Sequence, residues 1–518
     1  MKKISIIGMS LLFFLQIGFS KKSIAAPGEI KATAYAPAIP VLKGVEQNAV
    51  LRVGVFIPAD QAAQDFQKIS LTINPAAIAD IEKLQFYLTG AEPFNAQQWL
   101  TSFQPTSAQF DVPVSLKLNA GAHFIWVSVQ LKSTASIDGI IEVRAKKLWN
   151  KNGKAIVIAE PAGPYAKRKG NAIRKANDDG VHTYRIPGIV TTDKGTLLSV
   201  YDIRYKNSVD LPGNIDVGLS RSTDSGRTWQ PMKVIMDMGA PHENNGVGDP
   251  AILFDPITKK IWVAALWSKG NRSIAGSLPG ISPDTTGQFV LVSSDDDGLT
   301  WSAPYTITPQ IKNPKWHLFF NGPGSGIAMK DGKLVFAAQY WDEVKKPYST
   351  IIYSNDHGAS WVGNLNGPKS NTTESQVVET TPGTLMLNMR DNRGSFRSVA
   401  TTTNMGATWT EHSTSYNALQ DPVCMGSIIK ASVKVKGVMK EVLFFSNPNT
   451  TNGRYDITIK ASLDLGQTWL PANQLLIDER NCYGYSSLTQ IDAETIGILY
   501  EGTRDLYFVK VPVASIIK

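Results

Sequence analysis

An all-β fold, a six-bladed β-propeller preceded by a small β-sandwich, is what this chain predicts, and three observations carry the reading. First, five near-copies of the octet Ser/Thr-x-Asp-x-Gly-x-Ser/Thr-Trp run from Ser222 to Trp229, Ser294 to Trp301, Ser354 to Trp361, Thr402 to Trp409 and Ser462 to Trp469. In such an octet the Asp accepts backbone N–H groups of its own turn, the Gly tolerates positive φ, and the Trp anchors the turn between neighbouring sheets. Second, the tryptophans lie 72, 60, 48 and 60 residues apart, a spacing that suits one four-stranded blade per copy. Third, the residues ahead of the first octet hold short alternating segments and no octet. Five similar turns cannot all line one active site, so the repeated Asp is read as architecture. Asn404, which replaces Asp in the fourth copy, agrees with that reading, because a turn absorbs the change.

Taken from the N-terminus, residues 1–26 read as an export signal: Met1-Lys2-Lys3, an apolar run from Ile4 to Phe19, then the small residues Ser23, Ala25 and Ala26. The mature protein is therefore expected in the periplasm, on the cell surface or in the medium. No later apolar run reaches the roughly 18 residues needed to span a membrane. Residues 27–160 carry segments such as Ile69 to Ile73, Ser115 to Leu118, His123 to Leu131 and Ile140 to Ala145 between Gly, Asn and Pro, the pattern of an antiparallel sandwich. Phe86, Tyr87 and Trp99 there suit either a carbohydrate-binding accessory module or an ordinary core. Pro161 to Lys175 is rich in Pro, Gly and Lys and reads as a linker. Residues 165–518 then hold about six strand periods, the expected propeller.

Composition narrows the function. The chain has 518 residues, 42% hydrophobic, enough for more than one domain and a large core. Its formal charge of +8 owes half to Lys2, Lys3, Lys21 and Lys22. The mild remainder fits an acidic ligand, and no Lys/Arg run with interleaved aromatics points to nucleic acid. Cys424 and Cys482 are the only cysteines, so metal fingers are excluded; the spacing leaves open whether the two pair in an oxidising compartment.

The segment Tyr184-Arg185-Ile186-Pro187 ahead of these octets resembles the exo-sialidase (neuraminidase) family, in particular its bacterial secreted branch. The resemblance runs from about Tyr165 to the C-terminus and more loosely over the N-terminal sandwich. It implies a glycosidase that removes terminal α-linked sialic acid from glycans, without a metal or other cofactor. Three arginines would grip the sugar's carboxylate by bidentate, charge-assisted bonds: Arg185, Arg390 in Leu-Asn-Met-Arg-Asp-Asn, and Arg454 in Asn-Gly-Arg-Tyr-Asp. Arg393 and Arg397 compete with Arg390 for that place.

The nucleophile implied is Tyr485 in Cys-Tyr-Gly-Tyr-Ser-Ser, with Tyr483 its neighbour, and the base that takes its proton is Glu374 in Asn-Thr-Thr-Glu-Ser-Gln. A tyrosine nucleophile is a known exception among glycosidases. The physical reason is that a carboxylate nucleophile would be repelled by the substrate's own carboxylate, whereas a neutral phenol would not. The acid/base implied is Asp210, in the loop after Arg204, with Asp202 and Asp216 as alternatives. Arg204 and Asp249 match the groups on the sugar's O4 side, and Glu501 the carboxylate that orients the first arginine. Two rival classes are a sialic-acid-binding propeller without catalysis and a propeller glycosidase for neutral polysaccharide; a sialyl-transferring variant would share the same residues.

Overall fold

The computed structural model describes residues 28–518 except 92–93, 95–97, 271–273 and 364; the expected export signal lies outside the described residues. The alternating N-terminal segments become strands because every second side chain is apolar. One set, hydrogen-bonded in the order Trp99–Phe103, Ile81–Thr89, Gly121–Leu131, Asn48–Ile57 and Lys31–Tyr35, faces a second set of Gln109–Leu118, Gln64–Ile73 and Ile140–Asn150. Phe86, Val127 and Val53 from the first set share one buried core with Phe66, Leu71 and Leu148 from the second. Phe86 and Tyr87 are core residues, whereas Trp99 is 60% exposed.

The rest is a propeller-like array. Four sheets are four-stranded antiparallel meanders or close to it, beginning at Thr183–Thr191, Leu318–Asn321, Thr372–Thr381 and Ser427–Val435, and a fifth begins at Val247–Phe254. Their innermost strands lie close enough for backbone N–H groups of one sheet to bond polar side chains of the next. Ile189 N–H donates to Ser487 Oγ (3.2 Å), Leu488 N–H to Ser427 Oγ (3.0 Å) and Ile428 N–H to Gln376 Oε1 (3.0 Å). A Cβ at Gly188 would sit 2.3 Å from the Gly324 carbonyl oxygen, and one at Gly322 2.2 Å from that of Ser375. Only glycine permits that approach.

The last three strands, Ser486–Asp492, Thr495–Glu501 and Leu506–Pro512, continue onto Ala166–Arg174 and through it into the N-terminal strands. The expected linker over Pro161 to Lys175 is thereby corrected. Its polar residues are buried and satisfied within a strand: Lys169 Nζ pairs with Asp80 at 2.5 Å, Asn171 Nδ2 donates to the Gly226 carbonyl at 2.7 Å, and a Cβ on Gly170 would lie 2.6 Å from the Phe508 carbonyl oxygen. An early strand completing the last sheet fastens the ends of the chain together.

The octets act as expected, and each leans on the preceding sheet. Asp296 accepts Thr300 N–H at 2.8 Å and Thr300 Oγ1 at 2.5 Å, while Gly298 N–H reaches Ser294 Oγ at 3.0 Å. Asn404 makes the same N–H bond, from Thr408 at 3.0 Å. The residue before each glycine is also left-handed (Ser225, Asp297, His357, Met405, Leu465, φ 55–60°), so two successive positive φ values turn the chain as in a type I′ hairpin. The glycines then abut neighbouring sheets: Cβ atoms at Gly226 and Gly358 would each lie 2.2 Å from ring carbons of Phe508 and Trp262, respectively. Trp361 packs edge-on against that same Trp262, ring centroids 6.2 Å apart. Gly358→Ala should accordingly destabilise the fold by more than about 2 kcal/mol, through strain at φ +92° and overlap with Trp262. Thermal unfolding checks this, and an unchanged midpoint would contradict the packing role.

Candidate active site

Loops and strand ends at one end of the array enclose a cavity of about 310 Å³. Seven of the nine residues singled out from the sequence line it: Arg185, Asp210, Asp249, Glu374, Arg390, Arg454 and Tyr485. Arg204 and Glu501 lie immediately behind, each bonded to a lining residue.

The floor is built on Glu501, at 0% exposure. Its Oε1 accepts Arg185 Nε at 3.0 Å and the Ile186 N–H at 2.9 Å, and its Oε2 accepts the Tyr485 N–H at 2.9 Å. Ile186 is held at φ 56°, an unfavourable value for a β-branched residue, where the strand register shifts between Arg185 and Gly188. The bond from its N–H to Glu501 compensates for that strain, which turns Arg185 towards the cavity. Burial opposes the Arg185 charge, but Glu501, Tyr485 and Asp210 more than offset it, so the guanidinium stays protonated.

Tyr485 is the hub of the site. Its hydroxyl donates to Glu374 Oε1 and accepts from Arg390 Nη1 at 3.0 Å, while Arg390 also pairs with Glu374 Oε2. Arg185 Cζ and Arg454 Cζ stand 5.2 and 5.7 Å from its ring centroid. Burial, and next the Glu374 charge, push the Tyr485 phenol well above its ordinary range against the pull of Arg390 and Arg185. The resting group is a neutral phenol with a carboxylate positioned to take its proton. Arg454 is fixed by the carbonyls of Tyr483 (2.9 Å) and Val423 (3.2 Å).

On the opposite wall Asp210, with a side chain 67% exposed, accepts Arg204 Nη1 at 2.7 Å and lies 3.5 Å from Arg185 Nη1. Burial works against its ionisation, but Arg204 and Arg185 outweigh it and hold the carboxyl below the usual range. Asp249 behaves oppositely: burial, then the charges of Asp202 and Glu374, push it well up.

The alternatives are sorted by their partners. Asp202 is enclosed and locked on Arg204 (2.8 Å to Nη2) and on the Asp249 N–H (2.8 Å). Asp216 is buried and accepts Tyr205 Oη at 3.0 Å. Arg393 pairs with Asp391 at 2.9 Å, and Arg397, at 0% exposure, bonds Asn388 Oδ1 at 2.7 Å and the Cys424 carbonyl. Tyr483 offers its carbonyl to Arg454 and its ring to Arg185, 4.7 Å from Cζ. Cys424 and Cys482 are unpaired in the structure, and burial pushes the Cys424 thiol up to about 12. The residues missed are Ile274, Phe320, Gln339 and Trp341, which form a largely apolar wall, and Thr373 and Asn392 beside Glu374 and Arg390. Only the last two had a signal, their adjacency to chosen residues.

Residues 186–485 match a BNR repeat-like domain, and residues 28–154 match the N-terminal domain of BNR-repeat neuraminidase. A sialidase of Bacteroides fragilis is 48% identical over 410 residues, 78% of this chain and 75% of the relative. A sialidase of Micromonospora viridifaciens is 33% identical over 334 residues, 62% of this chain and 50% of that protein. The structure of Hadza microbial sialidase Hz136 is 39% identical with a TM-score of 0.86, covering 94% of this chain and all of that one. An all-β propeller-like array with an acidic and guanidinium-lined cavity at one end thus defines a glycoside hydrolase. The chain belongs to the BNR-repeat sialidase (neuraminidase) family.

Glu501→Ala would leave Arg185 and two backbone N–H groups without their buried acceptor. A loss of about 3–5 kcal/mol in denaturant unfolding is expected, together with a raised KM; wild-type values for both would show that Glu501 is not what holds the floor.

Proposed function

We propose that the protein is an exo-α-sialidase that hydrolyses terminal α-linked sialic acid from glycoproteins, glycolipids and oligosaccharides with retention, through a sialyl-tyrosine intermediate on Tyr485. The observation that carries this reading is the Tyr485 hydroxyl bonded at once to Glu374 and Arg390, with two further guanidiniums beside its ring. Three cations around a phenol serve a substrate that is itself an anion. A neutral polysaccharide would have no use for them, and a binding protein would have no use for the phenol and its base.

In this mechanism Arg185, Arg390 and Arg454 hold the sugar's carboxylate and fix the anomeric carbon above Tyr485 Oη. Asp210 gives its proton to the glycosidic oxygen as the C–O bond breaks. Tyr485 passes its proton to Glu374 and bonds to the anomeric carbon, so the leaving alcohol departs neutral. In the second half Asp210 takes a proton from water, which displaces Tyr485, and Glu374 returns the phenol's proton. Two inversions give retention. Asp249 and Arg204 suit a sugar hydroxyl, and the wall of Phe320 and Trp341 suits an apolar substituent.

The same reading extends to the architecture. The strands Ser486–Asp492, Thr495–Glu501, Leu506–Pro512 and Ala166–Arg174 serve as a sixth blade, closing a propeller over 165–518. The described residues between 28 and 160 serve as a β-sandwich domain whose exposed Trp99 suits a carbohydrate-binding role. The leader over 1–26 directs export, and among the described residues no helix is long and apolar enough to cross a membrane.

Tyr485→Phe and Asp210→Ala should each lower turnover of an unactivated sialoside by about two to four orders of magnitude while the proteins stay folded. Full activity in Tyr485→Phe would remove Tyr485 from the reaction. Arg390→Ala should raise KM at least about tenfold, and kinetics indistinguishable from wild type would exclude it from the carboxylate grip. Proton NMR of the reaction should show the α-anomer of sialic acid first; the β-anomer as initial product would refute retention.

A further inference from the structure

In the unliganded site a carboxylate already occupies part of the place a substrate carboxylate would take. Arg185 is held at Nε by Glu501, which leaves its Nη atoms facing the cavity, and Nη1 lies 3.5 Å from Asp210 Oδ1. The same oxygen accepts Arg204 Nη1 at 2.7 Å. Arg204 is anchored on Asp202 through Nε and Nη2 at 3.1 and 2.8 Å, so its bond to Asp210 stays in place while the longer Arg185 contact is the exchangeable one.

Four guanidiniums, Arg185, Arg204, Arg390 and Arg454, stand among five carboxyls, Asp202, Asp210, Asp249, Glu374 and Glu501, in and behind the cavity. Burial pushes both Asp202 and Asp249 up. Lys206, on the loop with Asp210, is paired with Glu243 at 2.5 Å. A docked substrate carboxylate adds another anion to a site where burial magnifies like-charge repulsion. Three of the carboxylates are enclosed and bonded to guanidiniums or backbone N–H groups. Asp210 alone is largely open to solvent, and so is the group that can take up a proton.

We propose that the incoming substrate carboxylate displaces Asp210 from Arg185, and that Asp210 thereupon takes a proton from solvent and becomes the acid the reaction needs. This rests on the role of Asp210 proposed above. It resolves a conflict in the unliganded geometry, where the group required as proton donor is held ionised by Arg204 and Arg185. The substrate arms its own acid: an anionic sugar takes over Arg185, one of the two cations that hold Asp210 deprotonated, and sets a like charge beside it, whereas a neutral sugar does neither.

The sign follows from linkage. Between the unliganded and liganded titration midpoints of Asp210, binding an anionic ligand takes up protons, so affinity rises as pH falls through the liganded midpoint and levels off below the unliganded one. Titration calorimetry of the unsaturated sialic-acid analogue at about pH 5, in buffers of different ionisation enthalpy, measures the uptake. Roughly half to one proton per ligand is expected in the wild type and none in Asp210→Asn. No uptake in the wild type, or uptake retained in Asp210→Asn, would overturn the proposal. A second readout does not depend on how tightly the variant binds: in protein carrying carboxyl-labelled aspartate, the Asp210 signal, assigned by its loss in Asp210→Asn, should titrate at higher pH with the analogue bound. An unmoved or lowered midpoint overturns the proposal. The underlying role fails separately, if Asp210→Asn turns over an unactivated sialoside at the wild-type rate.

Discussion

One buried carboxylate holds both the ring and the site together. Glu501 ends a strand of the last sheet, and its two oxygens bind Arg185 and Ile186 of the first sheet and the backbone of Tyr485 in its own sheet. The cavity-lining guanidinium of Arg185 and the phenol of Tyr485 are therefore set by the same group. An enclosed carboxylate is tolerable only when charge and hydrogen bonds satisfy it, and here three donors do so. The closure of the array by Ala166–Arg174, a strand drawn from the start of the chain, stabilises the same sheet from its outer edge. Stability and chemistry share a seam.

Strain and polarity collect around that seam. Ile186, Asp249 and Val423 adopt positive φ, each next to a group that lines or supports the cavity: Arg185, Asp249 itself, and the carbonyl that fixes Arg454. Left-handed values at non-glycine residues are tolerated where the surroundings over-determine the backbone. Gly248 shows how tightly that holds, since a Cβ there would lie 2.9 Å from Asp202 Oδ1. The site thus consists of opposed charges on a rigid frame, and its titration follows from their placement: Tyr485 and Asp249 pushed up, Asp210 pulled down. The unliganded site thus combines a buried phenol and a buried carboxyl that both hold their protons more tightly with one exposed carboxylate held by two guanidiniums.

Much of the array was legible in the sequence because the octets are local devices. Their Asp and Ser bonds close within five residues, so pattern and structure coincide. The N-terminal strands were legible from alternation for the same reason. Ala166–Arg174 was not, because Lys167, Lys169, Gly170 and Asn171 look like linker residues until the strand's distant partners, Asp80, Gly226 and Phe508, supply the bonds and the crowding that require them. The charged side of the cavity was legible through motif resemblance. The apolar wall of Ile274, Phe320 and Trp341 was not, since an apolar residue on a short helical turn or near a strand end looks the same in sequence whether it faces a core or a cavity. Nor could spacing decide the state of Cys424 and Cys482, which depends on side-chain geometry rather than separation.

The central claim is that three guanidiniums converge on one carboxylate above a phenol. A crystal structure with bound sialic acid tests it most directly. The account predicts the sugar's carboxylate within hydrogen-bonding distance of Arg185, Arg390 and Arg454, with the anomeric carbon facing Tyr485 Oη and Asp210 on the opposite side of the ring. A sugar whose carboxylate points to solvent, or whose anomeric carbon faces any other side chain, would contradict it.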